Sequence, residues 1–372
     1  MNWISSSLGE ILPLQYGKSL PASKRIEGNI PVYSSAGSTG THNEPLVSGP
    51  CLIVGRKGTV GSVYYEEHDC FPIDTAFYTT GTPEIDIRFG YYLLKHKKLH
   101  NYSQDSAVPG LNRDRYSEIT AAVPPLSEQR AIAEVLGALD DKIAANNNLA
   151  RLTNDLADSV FRQALLKAEF SNETFADISR VSGGGTPSTK QPEYWNGDVL
   201  WATPTDVTAL MAPYLEGTSR TITEEGLSAC ASELYPAGTI LMTSRATIGS
   251  FALTQFPTAV NQGFIVVQPT DKNLRYWIFH EMRSRVAEFT AFANGATFLE
   301  LSRGNFKNFR VRQAPYDVMV KFNETAGSLH KLGRAALVEN QTLSSVRDTL
   351  LPQLMSGKIR IREAEAVVED VL

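Results

Sequence analysis

The chain says one thing twice. Leu111, Arg113, Tyr116, Pro125, Asp158, Gln163 and Leu165 recur in order as Leu301, Arg303, Phe306, Pro315, Asp348, Gln353 and Met355, each pair separated by one constant interval with no gap. Upstream, Thr59-Val60-Gly61-Ser62 returns as Thr247-Ile248-Gly249-Ser250 at a slightly shorter interval, as expected where loops differ in length. Two copies of one unit, each a globular part followed by a long helix, imply internal two-fold pseudosymmetry. Such a body suits a target that also comes in two halves.

Composition bounds the class without naming it. A chain of 372 residues, 42% hydrophobic and 20% charged, has room for two or three domains with real cores. The opening Met1-Asn2-Trp3-Ile4-Ser5 lacks a basic segment and an apolar core, so no signal peptide is expected. No apolar run reaches the ~20 residues of a spanning helix, so no membrane partner is expected either. Cys51, Cys70 and Cys230 form no CxxC pair and are odd in number, which points to a reduced, cytoplasmic protein. The net charge of −5 weighs against a nucleic-acid partner, because neutralising phosphates requires local Lys and Arg. Between Phe298 and Arg312, however, Arg303, Lys307, Arg310 and Arg312 face only Glu300. A cluster of this size is equally a solvated face. Charge alone decides nothing.

Residues 1–123 read as a first mixed α/β unit. Cys51–Val54 is a buried strand, Gly55, Gly58 and Gly61 punctuate a loop, Phe89–Lys98 is helical, and Pro124-Pro125 ends the unit. Residues 124–172 form a first spacer helix, opened by Ser127 as a cap with Glu128 in the first turn. Its stripe runs through Ile132, Leu136, Leu139, Ile143, Asn146, Ala150, Ala157, Val160 and Ala164, broken by no glycine or proline except Gly137. About 40 helical residues would span roughly 60 Å, and so long a helix needs a packing partner. The partner is the second spacer helix, within residues 315–372 with the C-terminal tail, whose stripe is Leu329, Leu332, Ala336, Leu343, Val346, Leu350 and Leu354. Residues 173–314 form the second globular unit. The expected fold is α+β: two mixed α/β domains joined by two long antiparallel, coiled-coil-like helices, with one globular part near each end.

The chemistry is that of a binder. There is no GxxxxGK[ST] loop, no GxSxG elbow and no HExxH. The Asn/Asp-Pro-Pro-aromatic motif with which an adenine methyltransferase holds a flipped base is missing as well. His96 and His100 lie four apart but among Lys95, Lys97 and Lys98, which repel a cation, so no metal site is expected. No catalytic residue is assigned. Two glycine-rich loops remain. Gly55-Arg56-Lys57-Gly58-Thr59-Val60-Gly61 carries two cations and a hydroxyl, and Thr243-Ser244-Arg245-Ala246-Thr247-Ile248-Gly249 is its counterpart. Glycines let backbone amides approach a partner closely, and arginine can bond bidentately to guanine or phosphate. A β-turn with exposed charges is the bland alternative; recurrence with a basic residue at the matched place (Lys57, Arg245) favours contact.

Further contact candidates sit where the copies align. In the first unit they are Tyr16, Lys18 and Ser19, with Arg56, Lys57 and Thr59 on the loop and Asn112, Arg113 and Arg115 after it. In the second they are Thr186, Ser188 and Lys190, then Ser244, Arg245 and Thr247, with Arg303, Asn305 and Lys307 downstream. Asn261 and Gln262 join them because carboxamides read adenine edges bidentately. Trp195 and Trp201 are assigned to packing rather than base stacking.

In order along the chain, these segments resemble the specificity subunit of type I restriction-modification systems. The resemblance covers nearly the whole chain. It rests on Leu8-Gly-Glu-Ile11 with Tyr16-Gly-Lys-Ser-Leu-Pro21, the Gly55–Gly61 loop, and Pro124-Pro-Leu-Ser-Glu-Gln-Arg-Ala-Ile-Ala133 leading into Leu139-Asp140. Gly185-Thr-Pro-Ser188 with Tyr194-Trp195 and Trp201, and Leu350-Leu-Pro-Gln-Leu-Met-Ser-Gly-Lys-Ile359, complete it. It implies a non-catalytic subunit with two target-recognition domains, each reading half of a bipartite double-stranded DNA site, and helices that fix the spacing. It implies two methyltransferase (modification) subunits and two restriction (motor-nuclease) subunits as partners. No cofactor is expected in this chain; S-adenosylmethionine, ATP and Mg would sit on those partners. One departure stands out: Pro315-Tyr-Asp-Val replaces Pro125-Leu-Ser-Glu, leaving partner contacts of Glu128 and Gln129 without a counterpart. The rival from another class is a coiled-coil scaffold that binds only protein.

Overall fold

The computed structural model describes residues 3–102, 109–293 and 299–372; Met1, Asn2 and Phe298 of the readings above lie outside them. Contacts divide the chain into two units, one of residues 1–144 and 340–372, the other of residues 145–339. Each unit therefore takes half of each long helix.

Both units are built on the same sheet. In the first, strands run Gln15–Tyr16, Ala76–Thr79, Cys51–Gly55, Val63–Glu66 across an antiparallel sheet. Cys51–Gly55 is central and buried along its whole length, which explains its unbroken apolar run. In the second, Ser179–Ser182, Phe264–Pro269, Ile240–Thr243 and Phe251–Thr254 repeat that order, and Tyr214–Leu215 adds a fifth strand in parallel. A smaller sheet of three strands accompanies each. Trp195 and Trp201 pack edge to face at 5.1 Å in the core of the second small sheet, as packing residues should. Arg220 lies over Trp195 at 3.6 Å.

The long helices run Leu126–Leu165 and Tyr316–Met355. The first starts one residue before Ser127, so Ser127 is not its cap: the Pro125 carbonyl accepts the free amides of Glu128 and Gln129 instead. The second ends on a left-handed Gly357, with Gly357 N–H bonded to Leu354 O and Lys358 N–H to Gln353 O, a Schellman stop. Within the first unit, Asp140 pairs with Arg347 and the Ile143 carbonyl accepts from Asn340. Within the second, Phe161 packs on Phe322. Rising number on one helix meets falling number on the other, so the pair is antiparallel. Ile132, Leu136, Leu139, Asn146, Ala150 and Ala157 are buried as predicted. The second stripe needs one correction: Leu332 is 49% exposed, and its neighbour His330 occupies the seam at 2%. Apolar periodicity is blind to a buried, hydrogen-bonded histidine.

Each unit latches its own short helix to the helix pair at the same repeat position. From Ile87–Lys97, Tyr92 Oη donates to Asp140 (2.7 Å) and Arg88 to Asp141 (2.5 Å). Gly137 is where Arg88 crosses, for a Cβ there would lie 2.6 Å from its guanidinium carbon. From Arg275–Ser284 of the second unit, His280 meets His330 (Nε2–Nε2, 3.0 Å) and Asp158 (2.6 Å), and His330 meets Tyr214 (3.0 Å). Burial depresses both imidazoles, His330 to about 3 with the help of neighbouring His280. Asp158, held low by its bonds with His280 and Arg283 against desolvation, is ionised. Only one proton arrangement then satisfies every contact. Tyr214 donates to His330 Nδ1, His330 Nε2–H to His280 Nε2, and His280 Nδ1–H to Asp158.

Candidate nucleic-acid interface

The Gly55–Gly61 loop leaves the central strand and is folded back by Gly61 N–H onto Gly55 O (2.8 Å). Gly58 and Gly61 adopt left-handed φ of 83° and 74°, and a Cβ on Gly61 would meet His100 N at 2.4 Å. No other residue suits that turn. Leu111 N–H bonds to Arg56 O (2.9 Å) and Lys57 bridges Gly110, which straps the loop to the start of the helix Arg113–Glu118. Loop and helix thus bring Arg56 and Arg113 to the same exposed ring. Their guanidiniums lie 5.1 and 5.2 Å from the centre of Tyr16, which is 49% exposed. Arg56 is fixed by the Asp74 carbonyl (2.9 Å) and lies 5.9 Å from Phe77. Lys18, Ser19, Lys57, Thr59 and Arg115, near this trio in sequence, are exposed.

The second unit repeats the strap. Leu301 N–H bonds to Ser244 O (3.0 Å), Ala246 N–H to Leu299 O (3.2 Å), and Gly249 is left-handed at 91°. Ser244, Arg245, Gln262, Arg303 and Lys307 line one hollow of about 460 Å³ beside Gly184. Thr186 donates to Gln262 Oε1 (2.6 Å), which orients the carboxamide; its N–H groups bond to no other described residue. Thr247 is on the loop rim and exposed.

Several candidates do other work. Asn112 Oδ1 accepts from Asp114 N (2.8 Å) and Arg115 N (3.0 Å), so it caps the helix. Asn261 Oδ1 is likewise committed to Gly263 N–H (2.8 Å), and Ser244 is 3% exposed. Ser188 takes the Lys190 amide on its hydroxyl and Trp195 Nε1–H on its carbonyl, and Ser188 and Lys190 lie outside the lining of the hollow. Asn305 lines a different hollow, with Phe170, Arg285 and Phe309. Gln129, expected to meet a partner, is 1% exposed and bonds Asp86 N, Glu84 O and Pro124 O. Glu128 accepts from Trp3 (3.2 Å). A sequence shows residue type but not whether a carboxamide is already engaged.

Two contributors escaped the sequence. Glu300 pairs with Arg245 at 2.8 Å, so the second loop's cation has an acidic partner, whereas Arg56 is held by the Asp74 carbonyl and the rings of Tyr16 and Phe77. Phe77 backs Arg56 from the neighbouring strand. The position of Glu300 next to the recurring Leu301 was the available signal.

Sheet, loop and long helix recur together in both units, and comparison gives the family in which they do so. The chain belongs to the type I restriction modification DNA specificity domain family, whose model matches residues 1–153 and 168–315. It is 37% identical over 137 residues to the type I restriction enzyme MjaIX specificity subunit of Methanocaldococcus jannaschii, covering 36% of this chain and 32% of that protein. It is 23% identical over 190 residues to the HindI specificity subunit of Haemophilus influenzae, covering 50% and 41%. These matches span less than half the length of either relative. The crystal structure of a type I restriction-modification system S subunit from M. genitalium superposes with a TM-score of 0.61 over 95% of this chain and 96% of that one. At 16% identity that likeness concerns the fold. No helix among the described residues is long and apolar enough to cross a membrane.

Proposed function

We propose that this chain is the DNA-reading subunit of a type I restriction-modification complex. Each unit reads one half of a split site in double-stranded DNA, and the helix pair sets the gap. The observation that carries this reading is the recurrence of one device: a glycine-rich loop strapped to a basic helix start, presenting Tyr16, Arg56 and Arg113 in the first unit and Gln262, Arg303 and Lys307 in the second. A planar guanidinium held against an aromatic ring is a rigid fork for guanine O6/N7 or a phosphate, and an oriented carboxamide suits an adenine edge. The chain itself is non-catalytic in this reading. Two modification subunits would bring S-adenosylmethionine and methylate adenine; two restriction subunits would bring ATP, Mg and cleavage, all in the cytoplasm.

The test is a base-resolution methylation map of DNA from cells that co-express this chain with its neighbouring modification subunit. A methylated adenine in a split motif, absent without this chain, is the expected result. An assembled, folded complex that adds no methylation would overturn the reading.

A further inference from the structure

Where the first long helix begins, the first unit carries an open groove of about 600 Å³. Its walls are apolar: Ile4, Ile11, Val123, Pro125 and Leu126, with Ile4 70% exposed. Two carboxylates, Glu10 and Glu84, also line it, with no cation among the described lining residues. The Ser7 amide and hydroxyl hold the Glu10 carboxyl below its usual range, so it is ionised. Thr82, another wall residue, has its hydroxyl oxygen buried with no hydrogen-bond partner among the described residues.

The repeat supplies an internal control. Thr82 N–H bonds to Ile11 O as Thr270 N–H bonds to Ile178 O, which puts the two copies in register. In the second unit the equivalent threonine is satisfied, because Thr270 Oγ1 donates to the Ile178 carbonyl (2.8 Å). The equivalent rim is bridged twice. Tyr316, standing where the first unit has Leu126, donates to Asp271, which stands where the first unit has Pro83 (2.8 Å). Gln313, in place of Val123, donates to Glu173 in place of Ser6 (2.7 Å). The same position is thus apolar and open in one copy and polar and bridged in the other.

We infer that the first unit's groove is a docking site for a modification subunit, taking a segment that offers an apolar side chain beside a lysine or arginine, and that the second unit offers that subunit no such groove. The apolar walls need an apolar occupant to leave water, and two unneutralised carboxylates select for a cation beside it. The two copies of a modification subunit would then make different contacts at this one position. This rests on the functional reading above.

Sedimentation and native mass spectrometry of the full chain titrated with its co-expressed modification subunit test it. Two first-unit variants are made: Ile4→Glu with Glu84→Lys, and Leu126→Tyr with Pro83→Asp, which copies the second unit's bridge. Each is expected to weaken one of two binding steps at least tenfold, with an unchanged thermal melt. Tyr316→Leu with Asp271→Asn at the second rim is expected to weaken neither. Wild-type affinity in both first-unit variants would overturn the groove while leaving the functional reading intact. A folded wild type that takes up no modification subunit would sink both. A wild-type chain that dimerises alone, and is made monomeric by the variants, would give the groove to a second copy and overturn the partner assigned here.

Discussion

Arg56 and Arg113 flank one exposed tyrosine, and each is expected to matter singly. Arg56→Ala or Arg113→Ala should cost about 1–3 kcal/mol of DNA affinity, the range for a bidentate base contact, and should relax the methylated motif in one half only. Fluorescence anisotropy on the wild-type site together with the methylation map reads both effects. Unchanged affinity would return the loop to an ordinary charged turn. In the second unit Arg245 is restrained by Glu300 at 2.8 Å. Glu300→Gln should therefore tighten DNA binding and steepen its dependence on salt, since one more cation becomes available to phosphate. A weaker complex would mean that Glu300 positions Arg245 for contact.

At the scale of elements, the two latches are chemically unlike although they occupy one repeat position. The first is Tyr92–Asp140–Arg347, and the second is Tyr214–His330–His280–Asp158 with Arg283. Only the second holds neutral histidines. An unfolded histidine takes its proton near pH 6.5, whereas His330 resists until about 3. The unfolded chain then binds more protons across that window, so stability should fall as pH drops below about 6.5. Denaturant melts at pH 7.5 and 5 should show it, and His330→Asn should flatten the difference; an equal slope in the variant would refute the assignment. The helices approach closely at Gly333, where a Cβ would sit 2.5 Å from Thr153 Oγ1 and 3.3 Å from Ala150 Cα. Gly333→Val should cost about 1–3 kcal/mol by overpacking, measurable in the same melts.

For the molecule as a whole, the reading of the helices as a ruler has its own test. Inserting four residues in each helix adds ~6 Å of length. The recognised gap should widen by one to two base pairs while each half-site keeps its sequence, as a methylation map would show; altered half-sites would remove the ruler. Much of this architecture was legible beforehand. The repeat, the central strand Cys51–Gly55, the two 40-residue helices and the glycine loops all follow from local rules, which act between neighbours and leave periodic marks. Such marks name the repeated glycine loops but not the state of each side chain. Asn112 and Asn261 have the chemistry of readers and Gln129 was expected to meet a partner, yet each carboxamide oxygen accepts from a backbone amide of its own unit. Glu300, read only as the acid beside the Arg303–Arg312 cluster, sits on the second loop's cation. The sequence by itself determined the repeated plan and where the two glycine loops would lie, because period and turn chemistry are properties of short stretches. Only the tertiary structure decided which polar groups remain available, that histidine rather than leucine fills the second seam, and that one rim is open and its twin bridged. Those outcomes depend on partners distant in the chain, and no local pattern records them.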